Sequence, residues 1–267
     1  MEKIGLVAGN GSLPVLFLER AKRKGYKVFT LAIKNESLLK VADLSEKALT
    51  LPPGRLNWGL KFFEENGVRE AIMLGQVKHR RLLHPHYTDY LDPQLAQILK
   101  EISDKQTATV LKAIIEYFEH NGIHFLPSTY LLEDLLLASG FSVGPPLSEE
   151  EKSDIALGRK VAETLASLDV GLTVAVKNGI VLAVEAIEGT DLTMRRAARF
   201  SQGIVVVKVS RPNQDLRFDL PVIGPATITN LARISGRALA ISPKTLVLEK
   251  ERVFRLAERY GITLSVF

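Results

Sequence analysis

The chain has 267 residues, no cysteine, 46% hydrophobic residues, and a formal charge of +5 from 35 Lys and Arg against 30 Asp and Glu. Its length accommodates two compact domains or one large one, and its apolar content suits a folded globule with a real core. The missing cysteine excludes disulfides, thiolate catalysis, iron–sulfur clusters and cysteine-ligated zinc; the mild positive balance, densest in VKHRRLLH at 77–84, is too weak for a nucleic-acid-binding role.

Residues 4–8 read as a buried strand, and AGNGSLP at 8–14 leads into a helix over about 15–24 that stops at Gly25. The apolar start is short, carries glycines and runs into ERAKRKGYK, which is not a signal peptide. No continuous apolar run approaches the roughly 20 residues of a spanning helix, so a cytoplasmic protein is expected. Residues 26–33 form a second strand, with short strands near 42–44 and 48–51. A helix over 58–67 and a strand over 70–77 follow. This alternation predicts a parallel sheet of Rossmann-like type. Helices are expected over 92–103 and 107–121, a short strand near 122–126, and a helix over about 130–137.

The loop Gly9, Asn10, Gly11, Ser12 permits a sharp turn and close backbone approach to a ligand, and the following helix aims N–H groups at an anion. The dinucleotide fingerprint is incomplete. Pro14 stands where a third glycine belongs, and the second strand ends TLAIKNE without an immediate acid for a ribose. The loop therefore reads as a nucleotide contact or as a structural turn. At GQVKH, 75–79, Gln76 and Lys78 leave the end of a parallel strand and are candidate polar contacts, or a solvated loop. His79, His84 and His86 lack a zinc context, with Arg80 and Arg81 beside them. Asp104, ahead of Lys105, reads as a cap for the helix at 107, with a place in an interdomain nucleotide site as the alternative.

SGFSVGPPLSEEEK, 139–152, marks an exposed loop, and the division falls at 1–130 and 131–267. Beyond it come a helix over 154–169, a hairpin over 170–186 turning at Asn178-Gly179, and a helix over 191–201 capped by Asp191. A strand over 203–210, a helix over 227–235 and a strand over 238–242 complete a mixed α/β domain. Its chemistry gathers in two loops. EAIEGTD carries Glu185, Glu188, Thr190 and Asp191; RPNQDLRFDLPVIG carries Arg211, Gln214, Asp215, Arg217 and Asp219. Carboxylates of this kind hold Mg²⁺, and arginines offset phosphate charge. Lys208, at the end of VVVKVS, is a candidate anion contact or an ordinary strand-edge lysine.

IGLVAGNGSLP at 4–14, GQVKHR at 75–80, AIEGTD at 186–191 and KVSRPNQDLRFDLPVIGPATI at 208–228 together resemble the LpxI family of bacterial UDP-2,3-diacylglucosamine pyrophosphatases, over nearly the whole length. The resemblance implies cleavage of UDP-2,3-diacylglucosamine to UMP and 2,3-diacylglucosamine 1-phosphate in lipid A synthesis. It also implies dependence on Mg²⁺ and an active site between two domains. Asp219 matches the family's key aspartate, with Asp191 and Arg217 as catalytic companions. Asp219, Asp191, Glu188 and Asp215 are the implied metal ligands. Gly9, Asn10, Gly11, Ser12, Gln76, Lys78, Thr190, Lys208, Arg211 and Gln214 are the implied substrate contacts. The C-terminal domain is expected to accommodate two acyl chains, with peripheral contact at the inner membrane and a homodimer in keeping with the class. SDKQTATV, 103–110, departs from the family's paired-acid segment, since Lys105 follows Asp104. The alternatives are an NAD-dependent oxidoreductase and a non-catalytic sugar-nucleotide-binding protein.

Overall fold

The computed structural model describes residues 2–77, 91–104 and 106–267. The expectations for Lys78, His79, His84, His86 and Lys105 lie outside the described residues. The chain divides into two compact units: residues 1–133 with 215–219, and residues 134–214 with 220–267. Five residues of the second acidic loop therefore belong to the first unit.

The first unit is a five-stranded, all-parallel sheet in the order β3-β2-β1-β4-β5. Its elements are β1 (Lys3–Ala8), α1 (Leu13–Arg23), β2 (Lys27–Ile33), α2 (Leu39–Leu44), β3 (Lys47–Leu51), α3 (Leu56–Glu65), β4 (Glu70–Leu74), α4 (Pro93–Glu101), α5 (Thr107–His120) and β5 (His124–Phe125). Both faces are covered, as a parallel sheet requires. Ile4, Leu6 and Ala8 alternate with Val7 along β1, and α1 buries Phe17 and Leu18 completely. On the opposite face α3, α4 and α5 pack Leu60, Phe63, Leu95, Ile115 and Phe118 over Phe29, Leu31 and Ala71.

Residues 42–44 are helical, not a strand. Parallel β2 and β3 need a crossover between them, and α2 supplies it while burying Val41. The strand expected to reach 77 ends at Leu74, because Gly75 takes φ +85°. The helix expected over 130–137 is only a 3₁₀ turn at Glu133–Leu135; Leu131 at φ +62° interrupts any longer helix.

The second unit is a six-stranded mixed sheet, order β6-β13-β11-β9-β7-β8, with a small parallel pair β10-β12. Its elements are β6 (Ser142–Val143), α6 (Glu149–Ser167), β7 (Thr173–Lys177), β8 (Ile180–Val184), α7 (Thr190–Ala197), β9 (Val205–Lys208), β10 (Val222–Ile223), α8 (Pro225–Arg233), β11 (Ala238–Ile241), β12 (Leu246–Val247), α9 (Lys250–Tyr260) and β13 (Thr263–Val266). Alternation along β9 separates two cores. Val205 and Val207 face Ala162 and Ala166 of α6, and Val206 faces Met194, Ile228 and Val253 of α7, α8 and α9. The turn at Asn178-Gly179 has both residues at positive φ, 50° and 74°, as a tight hairpin demands. Buried Asp154 accepts both turn amides, at 2.9 and 2.6 Å. The 139–152 loop is less free than its composition predicts: Ser142–Val143 pairs with β13, and α6 begins at Glu149 behind a capping box from Ser148. Asp191 does not cap α7. Gly189 holds the N-cap position, and Asp191 lies exposed in the first turn. No helix among the described residues is long and apolar enough to cross a membrane.

Candidate functional site

In the first unit the strand order reverses between β1 and β4, where ligands of parallel α/β sheets gather beyond the carboxyl ends. Two glycine loops meet there. Gly9 N–H donates to Leu74 O at 2.8 Å, Asn10 N–H to Gln76 O at 2.8 Å, and Gln76 N–H to Asn10 O at 3.1 Å. A Cβ on Gly9 would lie 2.8 Å from Gln76 O, and one on Gly75 would lie 2.6 Å from Asn10 O. Gly9 is thus explained by close packing of the two loops. Gly11 is different: it has open space around it and φ +101°, so the turn itself selects glycine. Ser12 stands at the N-cap of α1 and makes no side-chain cap bond.

Residues 215–219 belong to this unit, are braced internally by one pair and are fastened to the rest of it at three points. Arg217 grips Asp215 with two parallel bonds, Nε to Oδ1 at 3.0 Å and Nη2 to Oδ2 at 2.7 Å. Its Nη1 donates to Glu119 Oε2, at the end of α5, at 2.9 Å. Ser128 N–H donates to Leu216 O at 2.6 Å. Phe218 is buried in the core of α3, α4 and α5. Hydrogen bonding to Arg217 holds the Asp215 carboxyl below its ordinary range, and Asp215 in turn raises the Arg217 value, with Glu119 adding to it. This anchoring delivers Asp219, at φ +51°, to the wall of a cavity of about 190 Å³ that Gly9 and Gln76 also line.

In the second unit, Lys208 and Thr190 come together with Glu185 and with Thr173, which the motifs alone do not single out. Lys208 Nζ donates to Thr190 Oγ1 at 2.8 Å and to Thr173 Oγ1 at 3.3 Å; Thr190 Oγ1 donates to Glu185 Oε1 at 2.9 Å. Glu185 and Lys208 are both buried, with Nζ 4.0 Å from Oε2. Glu188 turns instead to Arg196, at 2.6 Å. Burial pushes its carboxyl upward, but the backbone, Arg196 and Thr193 outweigh that and hold it below the usual range. Arg211 pairs with Asp169, its Nε donating to Oδ1 at 2.7 Å, and its N–H donates to buried Gln214 Oε1 at 3.3 Å.

Among the described residues, no three of His, Asp and Glu gather where they could enclose a metal. The four candidate ligands are divided: Asp215 and Asp219 belong to the first unit, Glu188 and Asp191 to the second. Asp215 and Glu188 are engaged by arginines. Within either unit by itself, the described residues offer no all-protein metal cage. A metal carried in by phosphate oxygens, needing one or two carboxylates, is compatible with Asp219.

The LpxI N-terminal domain model matches residues 3–135, and the LpxI C-terminal domain model matches residues 138–265. The chain belongs to the LpxI family. The LpxI relative named UDP-2,3-diacylglucosamine pyrophosphatase, from Caulobacter vibrioides, is 27% identical over 283 residues, covering 98% of this chain and 96% of its own. Among solved structures, N5-carboxyaminoimidazole ribonucleotide synthetase from Thermotoga maritima matches at 13% identity and TM-score 0.29, over 71% of this chain and 43% of that one. The biotin carboxylase domain of Hydrogenobacter thermophilus 2-oxoglutarate carboxylase matches at 13% and 0.29, over 74% and 41%. This LpxI chain spans under half the length of those structures, and likeness at that level carries no functional argument.

Glu119, Asp169 and Thr173 are the polar partners that the motifs did not reveal. Glu119 and Arg217 are 98 positions apart, and Arg211 and Asp169 are 42 apart. Neither member of either pair lies within the other's motif.

Proposed function

We propose that this LpxI protein hydrolyses the pyrophosphate of UDP-2,3-diacylglucosamine, releasing UMP and 2,3-diacylglucosamine 1-phosphate for lipid A synthesis. The observation that carries the reading is the match to both LpxI domain models, joined by a pyrophosphatase relative aligned over 98% of the chain. The fastening of Asp219 at a cavity wall supports a catalytic part for that residue.

In this reading a water oxygen attacks the sugar-side phosphorus, the bond from that phosphorus to the bridging oxygen breaks, and UMP leaves with the bridging oxygen. Asp219 orients the water and accepts its proton. Arg217 holds the loop rather than the substrate, since Asp215 and Glu119 occupy its fork. Lys208 and Thr190 offer a charge and a hydroxyl to phosphate oxygens. Gly9, Asn10, Gly11, Ser12 and Gln76 take the nucleotide side. Mg²⁺ brought in with the pyrophosphate would supply neutralising charge, and in the first unit Asp219 is the carboxylate that would hold it through its coordinated water. The enzyme is cytoplasmic, meets its lipid substrate at the inner-membrane surface, and acts as a homodimer.

Purified protein incubated with UDP-2,3-diacylglucosamine in ¹⁸O-water, with Mg²⁺ and with chelator, tests this directly. The expected products are UMP without label and lipid phosphate with label, formed only with Mg²⁺. Absence of UMP from folded, Mg²⁺-supplied protein rejects the activity. Label in UMP rejects the site of attack, and turnover in chelator rejects the metal.

A further inference from the structure

Helix α7 of the second unit exposes apolar side chains among cations. Its inner side buries Thr193, Met194 and Ala197, the last two in one core cluster with Ala175, Val206 and Ile228. Leu192 stands on the outer side, 51% exposed, and Arg195, Arg196 and Arg199 follow it three, four and seven positions on. Phe200, 69% exposed, sits in the turn after the helix. The neighbouring hairpin continues the pattern. Ala175 faces the core under α7 and Val176 the core under α6, so alternation turns Lys177 to the α7 side. Its partner across the hairpin, Ile180, is 63% exposed. A Cβ on Gly203, three positions beyond Phe200, would lie 3.4 Å from Lys177 Nζ, which sets the end of the hairpin beside the end of α7. Arg196 is engaged by Glu188. Lys177, Arg195 and Arg199 have no ion-pair partner among the described residues.

Single exposed apolar side chains are ordinary on a protein surface. Apolar tips interleaved with unpaired cations are more specific. A soluble polyanion would engage the cations and leave Leu192, Ile180 and Phe200 in water. An anionic bilayer meets both needs: its headgroups pair with the cations, and the boundary of its acyl region receives the apolar tips. We propose that this surface of α7 and the β7–β8 hairpin docks the protein on an anionic phospholipid bilayer. The proposal deepens the hydrolase reading above and rests on it for the choice of a bilayer, since a diacylated substrate resides in one. Thr190 and Asp191 open α7, so docking through Arg199 and Phe200 holds those two residues about 12 Å along the helix from the lipid contact.

Vesicle flotation of the full chain tests it, with vesicles of phosphatidylcholine alone and of phosphatidylcholine mixed with phosphatidylglycerol in equal parts. Wild type should bind the anionic vesicles and leave the neutral ones largely free. Each basic residue at an anionic surface is worth about fivefold in binding. Arg195→Gln combined with Arg199→Gln should therefore weaken binding roughly 25-fold, and added salt should weaken wild type more than this variant. Phe200→Ser should weaken binding roughly tenfold, and Phe200→Trp should keep it, because an aromatic tip enters the boundary. All three side chains are exposed, so thermal melts should match wild type. Turnover is measured apart from binding. On UDP-2,3-diacylglucosamine with short, water-soluble chains the variants should keep the wild-type kcat/KM; on the long-chain substrate carried in anionic vesicles they should lose it. Absence of binding to anionic vesicles, or binding that neither variant weakens, overturns the docking surface and leaves turnover of the soluble substrate to support the hydrolase reading. A wild type that binds vesicles but hydrolyses neither substrate overturns the hydrolase reading and leaves the docking surface. Polyglutamate and a DNA oligonucleotide serve as soluble polyanions. If either binds as tightly as the anionic vesicles, and Phe200→Ser weakens no binding, the surface serves a polyanion and the bilayer is overturned.

Discussion

Arg217 and Glu119 are joined at 2.9 Å across 98 positions of sequence, and this pair ties the loop that carries Asp219 to the end of α5. Both side chains are about a quarter exposed, so the attraction is partly screened and of modest strength in itself. Its worth lies in placement. A shift of about 1 Å in a group positioned for attack costs on the order of 100-fold in rate. Glu119→Gln is therefore expected to lower kcat roughly 10-fold with little change in KM. Arg217→Lys should fare worse, because an ammonium cannot reproduce the parallel bonds to Asp215. A Glu119/Arg217 double-mutant cycle should show coupling in kcat; purely additive effects would remove the positioning role.

Acid should loosen the same loop. Hydrogen bonding to Arg217 depresses the Asp215 carboxyl below its ordinary 3.8 in the folded protein. A depressed folded value means the stabilisation is complete above 3.8 and disappears as pH falls through the folded value. The stability gap between wild type and Asp215→Asn should stay constant from about pH 5 to pH 8 and narrow below about pH 4. Urea unfolding at a series of pH values measures it; a gap that opens instead towards acid would contradict the pairing.

Phe218 contributes to the fold as well as to the site. It lies in the C-terminal part of the sequence but is buried in the core of the first unit. Truncating a buried Phe to Ala costs about 3–5 kcal/mol. Phe218→Ala should lose about 3 kcal/mol, with the amide-exchange protection lost in α3, α4 and α5 rather than in α6. Protection lost first in α6 would place Phe218 in the other core.

The contrast between legible and illegible features follows from distance along the chain. β1, β2 and the hairpin at Asn178-Gly179 were readable because short apolar runs and positive-φ turn residues are local signals. The residues 39–44 were not, since Leu39 is exposed and Val41 is the only buried residue of that short helix. QDLRFDLP was readable as a motif, yet its roles were not. Nothing local says that Arg217 meets Glu119, or that Arg211 meets Asp169. The cavity was least legible, because its wall takes residues from four strands and three helices, and each apolar residue alone reads as ordinary core.

The buried network in the second unit depends on a single hydroxyl. Thr190 accepts from Lys208 and donates to Glu185, so both charges use it. Thr190→Val keeps the shape and removes the bonds, leaving partly satisfied buried charges at a cost of about 1–3 kcal/mol. KM for the nucleotide substrate should rise several-fold, and Thr190→Ser should restore both stability and KM. If Ser fails where Thr succeeds, packing of the methyl group and not the hydroxyl is what matters.

Asp219 decides the catalytic reading, and its backbone dictates which variant is informative. At φ +51° it occupies the left-handed region, which Asn and Asp tolerate and Ala disfavours. Asp219→Ala would thus combine loss of the carboxylate with strain in the loop that Arg217 fastens. Asp219→Asn keeps the size, the backbone preference and a hydrogen-bonding oxygen, and removes only the charge and the basicity. Loss of a positioned general base typically costs 10²- to 10⁴-fold. Asp219→Asn should therefore melt near wild type and bind UDP-2,3-diacylglucosamine within a few-fold, while kcat falls by about that factor. Turnover within threefold of wild type would move the proton acceptor elsewhere and leave Asp219 as a loop residue.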